Sequence, residues 1–395
     1  MIHSVTFKNF FSFKDEGKLL LQVNKHAPQT EKYFIDKTGT RLSKVLSVFG
    51  YNASGKTNAL KSLSFLQWLI ADSYRENPNA QIAVFPFKFT SGKKPTELSV
   101  KFSINKNLYF YYIKLSNEKI IAEKLRKKAL GKTRFSTLFE RTWDSNEEND
   151  YIWKDNFGLG PRFQGHLRKN ASVLSISIRD NHKESIEILN FWQNVSTNLT
   201  PLGKINNENY NIFEAAKFFD ENTKLKEKAG NLLKKFDLGL EKINILEKKD
   251  ESNQEVSFNL LGIHYGNYSL DFGFESSGTK NFFGILRNIL QVLDKGGVAI
   301  LDEFDTDLHP MMSEAIVEMF LSEQTNPHNA QLVFSAHSPH LLNLLDKYQI
   351  ALTEKNKKGE SEIWRLDEME GIRLDDNYYV KYLSGAYGGV PNLDL

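Results

Sequence analysis

The stretch "FGYNASGKTNAL", residues 49–60, constrains this chain more than any other. An apolar run, "KVLSVF" (44–49), leads into Gly50, and Gly55, Lys56 and Thr57 follow at G-x-x-x-x-G-K-[ST] spacing. From Thr57 to Tyr74, Leu60, Leu63, Leu66 and Leu69 or Ile70 recur at helical spacing. A buried strand, a glycine loop and a helix in that order predict an α/β core. Glycines let backbone N–H groups turn inward around phosphate oxygens, and the helix behind the loop adds its positive end. In such a loop Lys56 reaches the β and γ phosphates of a nucleotide, and the Thr57 hydroxyl ligates magnesium.

Two later segments add acid and base groups. In "GGVAILDEFD" (296–305) an apolar strand ends in two carboxylates. Asp302 is placed to hold the magnesium, commonly through water, and Glu303 to orient or deprotonate an attacking water. An acidic loop after a strand is common in itself. Coupled to the glycine loop, the pair favours hydrolysis, because binding alone needs no second carboxylate. In "QLVFSAHSPHLL" (331–342) His337 sits just past another apolar strand, expected to lie beside the Asp302 strand, so that its side chain reaches the γ-phosphate. A lone histidine is more often structural, and His340 is read that way. In "FESSGTKNFFGIL" (274–286), Ser276, Ser277, Gly278 and Thr279 open a helix. That start is either an anion-binding N-terminus or simply a capped one.

The rest of the chain sets the frame. Its 395 residues suit two or three domains or one elaborated domain. With 51 Lys and Arg against 49 Asp and Glu, whole-chain charge argues for neither nucleic acid nor a membrane surface; only a local patch can. The absence of Cys excludes disulfides, thiolate zinc sites and Cys nucleophiles. No stretch approaches 18 apolar residues and the N-terminus lacks a signal-peptide core, so a cytoplasmic location is expected. Ile2 to Phe13 reads as a strand that turns over, and "ELSVKFSI", "NLYFYYIKL", "KIIAEKL" and "FSTLFERTW" as an antiparallel meander. Residues 144–150 form a polar break, and 180–250 read as helical. A basic cluster at 123–134 (Lys124, Arg126, Lys127, Lys128, Lys132, Arg134) is either a solvated hairpin tip or a contact for DNA phosphates or an acidic partner.

The order of these motifs resembles the ABC-type ATPases. "GYNASGKTN", with Asn52 and Asn58, is similar to the branch that holds SMC and RecF proteins and the overcoming-lysogenization-defect ATPases, and "FKNFFSF" to that branch's first strand. "FPFKF", "ESSGTKNFF" and "YLSGAYGGVPNL" resemble a narrower group of bacterial ATPases from abortive-infection and anti-phage systems. The motifs anchor roughly 1–115 and 255–395. The resemblance implies an α/β fold: an ABC-type P-loop core with an antiparallel β lobe and a helical insertion between Walker A and Walker B. The expected division is 1–115 for the first half of the core with the β lobe, 116–255 for a β-hairpin and helical insertion, and 256–395 for the second half.

The cofactors implied are ATP and Mg2+. By motif position, Gly50, Asn52, Ser54, Gly55, Lys56, Thr57 and Asn58 hold nucleotide, Thr57 and Asp302 the metal, and Glu303 and His337 are catalytic. Ser276 and Gly278 match the Ser and second Gly of the LSGGQ signature, while Glu275, Ser277 and Thr279 depart from it. Asp305 to Asp307 occupy the D-loop position, and Gln81 is the candidate for the Q-loop. In this family one subunit's P-loop and another's signature enclose a shared nucleotide, so ATP-dependent dimerisation is implied. A separate toxic effector, a phage trigger protein and DNA are the further partners to weigh. The alternative function is a RecF-like ATPase that binds DNA directly.

Overall fold

The computed structural model describes residues 1–89, 94–144, 151–205, 208–236, 239–249 and 256–391. The polar break at 144–150 therefore lies outside the described residues except for Asp144. In chain order, β1 (Ile2–Lys8) and β2 (Gly17–Leu20) form a hairpin, and β3 (Tyr33–Ile35) and β4 (Arg41–Ser43) a second, smaller one. β5 (Val45–Phe49) feeds the glycine loop, and α1 (Lys56–Ala71) leaves it. β6 (Thr96–Ile104), β7 (Asn107–Leu115), β8 (Ile120–Ala129), β9 (Ser136–Trp143) and β10 (Tyr151–Asp155) make the meander. Then come α2 (Val173–Ile176), α3 (Lys183–Gln193), β11 (Val195–Thr197), α4 (Glu208–Glu221), α5 (Thr223–Lys235), β12 (Leu240–Lys249), β13 (Val256–His264) and β14 (Ser269–Asp271). The chain closes through α6 (Ser277–Lys295), β15 (Val298–Leu301), α7 (Pro310–Leu321), β16 (Gln331–Ser335), β17 (Ile350–Lys355), β18 (Ser361–Arg365) and α8 (Tyr378–Leu383).

Two large sheets organise these elements. One is antiparallel, in the order β10-β9-β8-β7-β6-β1-β2; the other runs β11-β15-β16-β5-β17-β18, parallel except for β18. Strands of the parallel sheet are buried on both faces, so they read as unbroken apolar runs. Alternation along each strand sends side chains into two different cores. Leu46, Val48, Val298, Ile300 and Val333 face α1 and the antiparallel sheet. Val45, Phe49, Ala299, Leu301, Leu332 and Phe334 face α6, α7 and the helical insertion. Held between the two sheets, α1 buries most of its circumference, Lys61, Ser62 and Ser64 included.

The β lobe carries one buried charged knot. The Glu123 carboxylate accepts from Arg141 Nε (2.8 Å), the Tyr111 hydroxyl (2.8 Å) and the Val173 N–H (2.9 Å). Arg141 spends its remaining donors on the carbonyls of Arg168 and Ala171. The knot ties β8 and β9 to the start of α2.

The structure departs from the sequence reading in two places. Residues 180–250 are not uniformly helical: β11 joins the core sheet beside β15, and β12 pairs with β13. β11 is three residues long, too short to show a period, and the charges of "LEKINILEKK" obscure the alternation that buries Ile243 and Ile245. The expected division at 115/116 falls inside the β7–β8 hairpin of a single sheet. A meander in which every strand pairs with the next offers no seam there.

Candidate functional site

The glycine loop, the two carboxylates and His337 all follow the C-terminal ends of adjacent parallel strands, β5, β15 and β16. In open α/β sheets, ligands bind at that edge. The glycine loop is shaped from beneath by the β17–β18 hairpin. A side chain on Gly50 would stand 2.4 Å from the Thr353 carbonyl, and one on Gly55 (φ 128°) 2.7 Å from Ser361 Oγ. Ser54 is fully buried, its hydroxyl 2.7 Å from that of Thr353. α1 then begins with no side-chain cap and no acidic residue in its first turn, so its N–H groups and positive end are unopposed.

Lys56 curls over this loop and donates to the carbonyls of Gly50 (2.9 Å) and Tyr51 (3.2 Å). Burial lowers the pKa of its ammonium, and the carboxylates of Glu303, Asp302 and Asp305 offset only part of that. Thr57 Oγ1 donates to Asp302 Oδ2 at 2.8 Å, and Ser335 Oγ to Asp302 Oδ1 at 2.6 Å. Burial pushes the Asp302 carboxyl up in spite of those two hydrogen bonds. Thr57 and Asp302 are thus two hard oxygen donors converging beside the loop, a set that fits magnesium. Among the described residues no group of three or more His, Cys, Asp or Glu could hold a metal. A cation here would therefore draw the rest of its shell from phosphate and water, as magnesium does at nucleotide sites.

Glu303 is the strained member. Its φ of 46° lies in the left-handed region, which costs a non-glycine residue on the order of 1–3 kcal/mol. Its N–H donates to Ser335 Oγ (2.9 Å), and its Oε1 lies 3.1 Å from His337 Nε2. Burial would raise this carboxyl, but the His337 hydrogen bond and the charge of Lys204 bring it below the usual value. His337 is itself positioned by Asp305, whose buried carboxylate accepts from the N–H groups of His337 and Ser338.

Four residues outside the catalytic and metal candidates contribute, and of these only Asp305, in the D-loop position, stood in a motif. Asn198, directly after β11, clamps the Asp302 peptide: its Nδ2 donates to the Asp302 carbonyl (2.9 Å) and its Oδ1 accepts the Asp302 N–H (2.8 Å). Lys204 Nζ donates to the Glu303 carbonyl (3.2 Å). Ser335 and Asp305 complete the set. A usable signal lay in position alone for the last two, at the end of the His strand and in the acidic run. Asn198 and Lys204 carried none.

The remaining candidates are placed as follows. Asn52 is exposed on the loop, while Asn58 turns to Ser12 Oγ (2.9 Å) and ties α1 to the β1–β2 turn. Ser276 and Gly278 sit at the start of α6, against the Asp305–Asp307 segment. Ser276 caps α6 by accepting from the Thr279 N–H (3.1 Å), and a side chain on Gly278 would meet the Asp307 carbonyl at 2.7 Å. Glu275 is buried and paired with His264 (2.7 Å), which anchors the helix start to β13. Gln81 is exposed beside the β7–β8 turn, where the Asn117 carbonyl accepts from the Ile82 N–H. It is Asn198, not Gln81, that reaches the carboxylate strand. His340 lies against Pro310 and Glu314. In the basic cluster Lys124 pairs with Glu140, Lys127 with Glu184, and Arg126 and Lys128 lie over the Phe135 ring. Among the described residues no helix is long and apolar enough to cross a membrane.

The architecture has known counterparts. An SMC head solved bound to the C-winged helix domain of ScpA matches with a TM-score of 0.53 and 12% identity, covering 93% of this chain and 99% of that one. The Pyrococcus furiosus SMC head with an extended coiled coil, bound to the C-terminal domain of ScpA, gives 0.47 at 11% identity over 93% and 97%. The Thermotoga maritima SMC head domain gives 0.42 at 12% over 92% and 98%. At such identities the first of these speaks for the fold alone: the α/β core with its antiparallel sheet has the fold of an SMC head. A comparison with curated proteins gives no match. The sequence model of the family described as "AAA domain, putative AbiEii toxin, Type IV TA system" matches residues 45–343, well over half of the chain, and the chain belongs to that family.

Proposed function

We propose that this chain binds and hydrolyses ATP at a site completed by a second copy of itself. In this reading it is the sensor and scaffold of an anti-phage defence system, holding a separate toxic effector until a phage protein releases it. The observation that carries the ATPase reading is the convergence of Lys56, Thr57, Asp302, Glu303 and His337 at one sheet edge. Lys56 would leave the loop carbonyls for phosphate oxygens. Magnesium, when bound by Thr57 and Asp302, would neutralise phosphate charge. Glu303 would hold and deprotonate the attacking water while His337 fixes its carboxylate. Ser276 and Gly278, on the far side of the D-loop, would face the nucleotide of the partner copy.

The effector role rests on resemblance. The motifs "FPFKF", "ESSGTKNFF" and "YLSGAYGGVPNL" resemble the anti-phage group, and within it length and organisation are similar to the ATPase subunit of the PARIS defence system, which suggests a Toprim-type nuclease as the effector. The family description names a putative toxin and a toxin–antitoxin system, which supports a place in such a system and is silent on a separate effector. Direct DNA binding in the manner of RecF is the second reading. Its basis, the 123–134 cluster, is weakened by the pairing of Lys124 and Lys127 with carboxylates. The test is to co-express a tagged Glu303→Gln chain with the product of the adjacent gene and purify it with and without ATP. The expected result is an ATP-dependent assembly that retains that product. A clean monomer that never retains it under either condition contradicts the proposal.

A further inference from the structure

The loop between β11 and α4 places a lysine where hydrolysis is expected, and its construction is not that of an incidental surface turn. Both ends are anchored at Asn198: its side chain clamps the Asp302 peptide, and its carbonyl accepts the Ile205 N–H at 2.9 Å. Between them Thr200 and Gly203 exchange backbone hydrogen bonds of 2.8 and 3.1 Å, and Leu199 bridges to Lys204. The backbone that carries Lys204 is therefore registered on the same peptide that presents Asp302 and Glu303. Its ammonium donates to the Glu303 carbonyl at 3.2 Å and lies 3.6 Å from Glu303 Oε2, while His337 Nε2 holds the other oxygen, Oε1, at 3.1 Å.

We propose that Lys204 is a positioning residue for ATP hydrolysis, holding the strained Glu303 peptide and one carboxylate oxygen so that the carboxylate presents a single face to the attacking water. This rests on the reading of Glu303 as the base. One carboxylate oxygen lies against an imidazole and the other against an ammonium. The ammonium also bonds the carbonyl of a residue in left-handed conformation, where the chain is most ready to relax. As a stability element the pair is worth little, because both side chains are partly exposed, 24% for Lys204 and 34% for Glu303. Its value lies in orientation, and small misplacements of a reacting group slow a reaction far more than they destabilise a fold.

The experiment measures steady-state phosphate release and ATP affinity, with magnesium, for the full chain and for Lys204→Met, Lys204→Arg, Glu303→Gln and the double variant Glu303→Gln/Lys204→Met. Lys204→Met is expected to lower kcat by about 10- to 100-fold with ATP affinity within about twofold of wild type. Lys204→Arg is expected to restore most of the rate. In the Glu303→Gln background Lys204→Met is expected to change nothing further, the signature of two residues acting as one unit. An equal loss in both backgrounds, an unchanged kcat in Lys204→Met, or a loss confined to ATP affinity overturns the proposal. Wild-type turnover by Glu303→Gln sinks the reading of Glu303 itself, and the positioning role with it.

Discussion

Lys56 shows how a single residue is prepared for an anion. Its ammonium is buried against two loop carbonyls, and burial already weakens its hold on a proton. A phosphate would supply the missing counter-charge. Replacing it, as Lys56→Ala, is expected to weaken MgATP binding by at least about tenfold, since one charge-assisted hydrogen bond is worth about 1.5–3 kcal/mol; isothermal titration of the two proteins decides it. At this scale the sequence was most legible where chemistry is local. Gly50, Gly55, Lys56 and Thr57 fall within eight residues, and their spacing alone encodes the loop. Asn198 and Lys204 were illegible because an amide and a lysine in a polar stretch have no pattern. They acquire a role only when β11 brings them to β15. Asn58 is the converse case, a motif residue whose side chain is spent on Ser12.

Among the elements, the β lobe is held by the Glu123–Arg141 pair, both side chains fully buried. Arg141→Met would strand the Glu123 carboxylate and is expected to cost about 3–5 kcal/mol in denaturant unfolding, whereas Glu123→Gln/Arg141→Met should cost less. The β3–β4 hairpin carries a pH-sensitive contact. Burial lowers the pKa of His3 despite its hydrogen bond to Asp36. Burial alone would raise Asp36, but hydrogen bonds from His3, Ser103 and Thr38 take it well below the usual carboxylate range. Both groups bind protons more readily in the unfolded chain, so both contribute stability that falls as pH drops. The His3 share fades below about 6.5 and the Asp36 share below about 4. Asp36→Asn is expected to flatten the acid limb of a stability–pH curve measured by urea unfolding; an unchanged limb would remove Asp36 from the account. Strand identities were readable here wherever β-branched and aromatic runs were long, as in β6 to β9. They were not where a strand had three residues, or where charges interrupted its alternation.

Over the whole molecule, the parallel sheet unites Gly50, Asp302 and His337 from positions nearly 300 residues apart and leaves an insertion between them that touches the site through the 198–205 loop. That the two distant apolar runs would lie side by side was readable from their composition and from the residues that end them. The antiparallel meander was readable as well, and it already ran across the expected division at 115/116. The central claim is that Glu303 performs hydrolysis at a site where Lys56, Thr57 and Asp302 bind. Phosphate release at saturating MgATP by the wild-type chain and by Glu303→Gln tests it most directly. The expected result is at least about a hundredfold slower release by the variant with nucleotide still bound, within the range a general base contributes. Equal rates for the two proteins would contradict it.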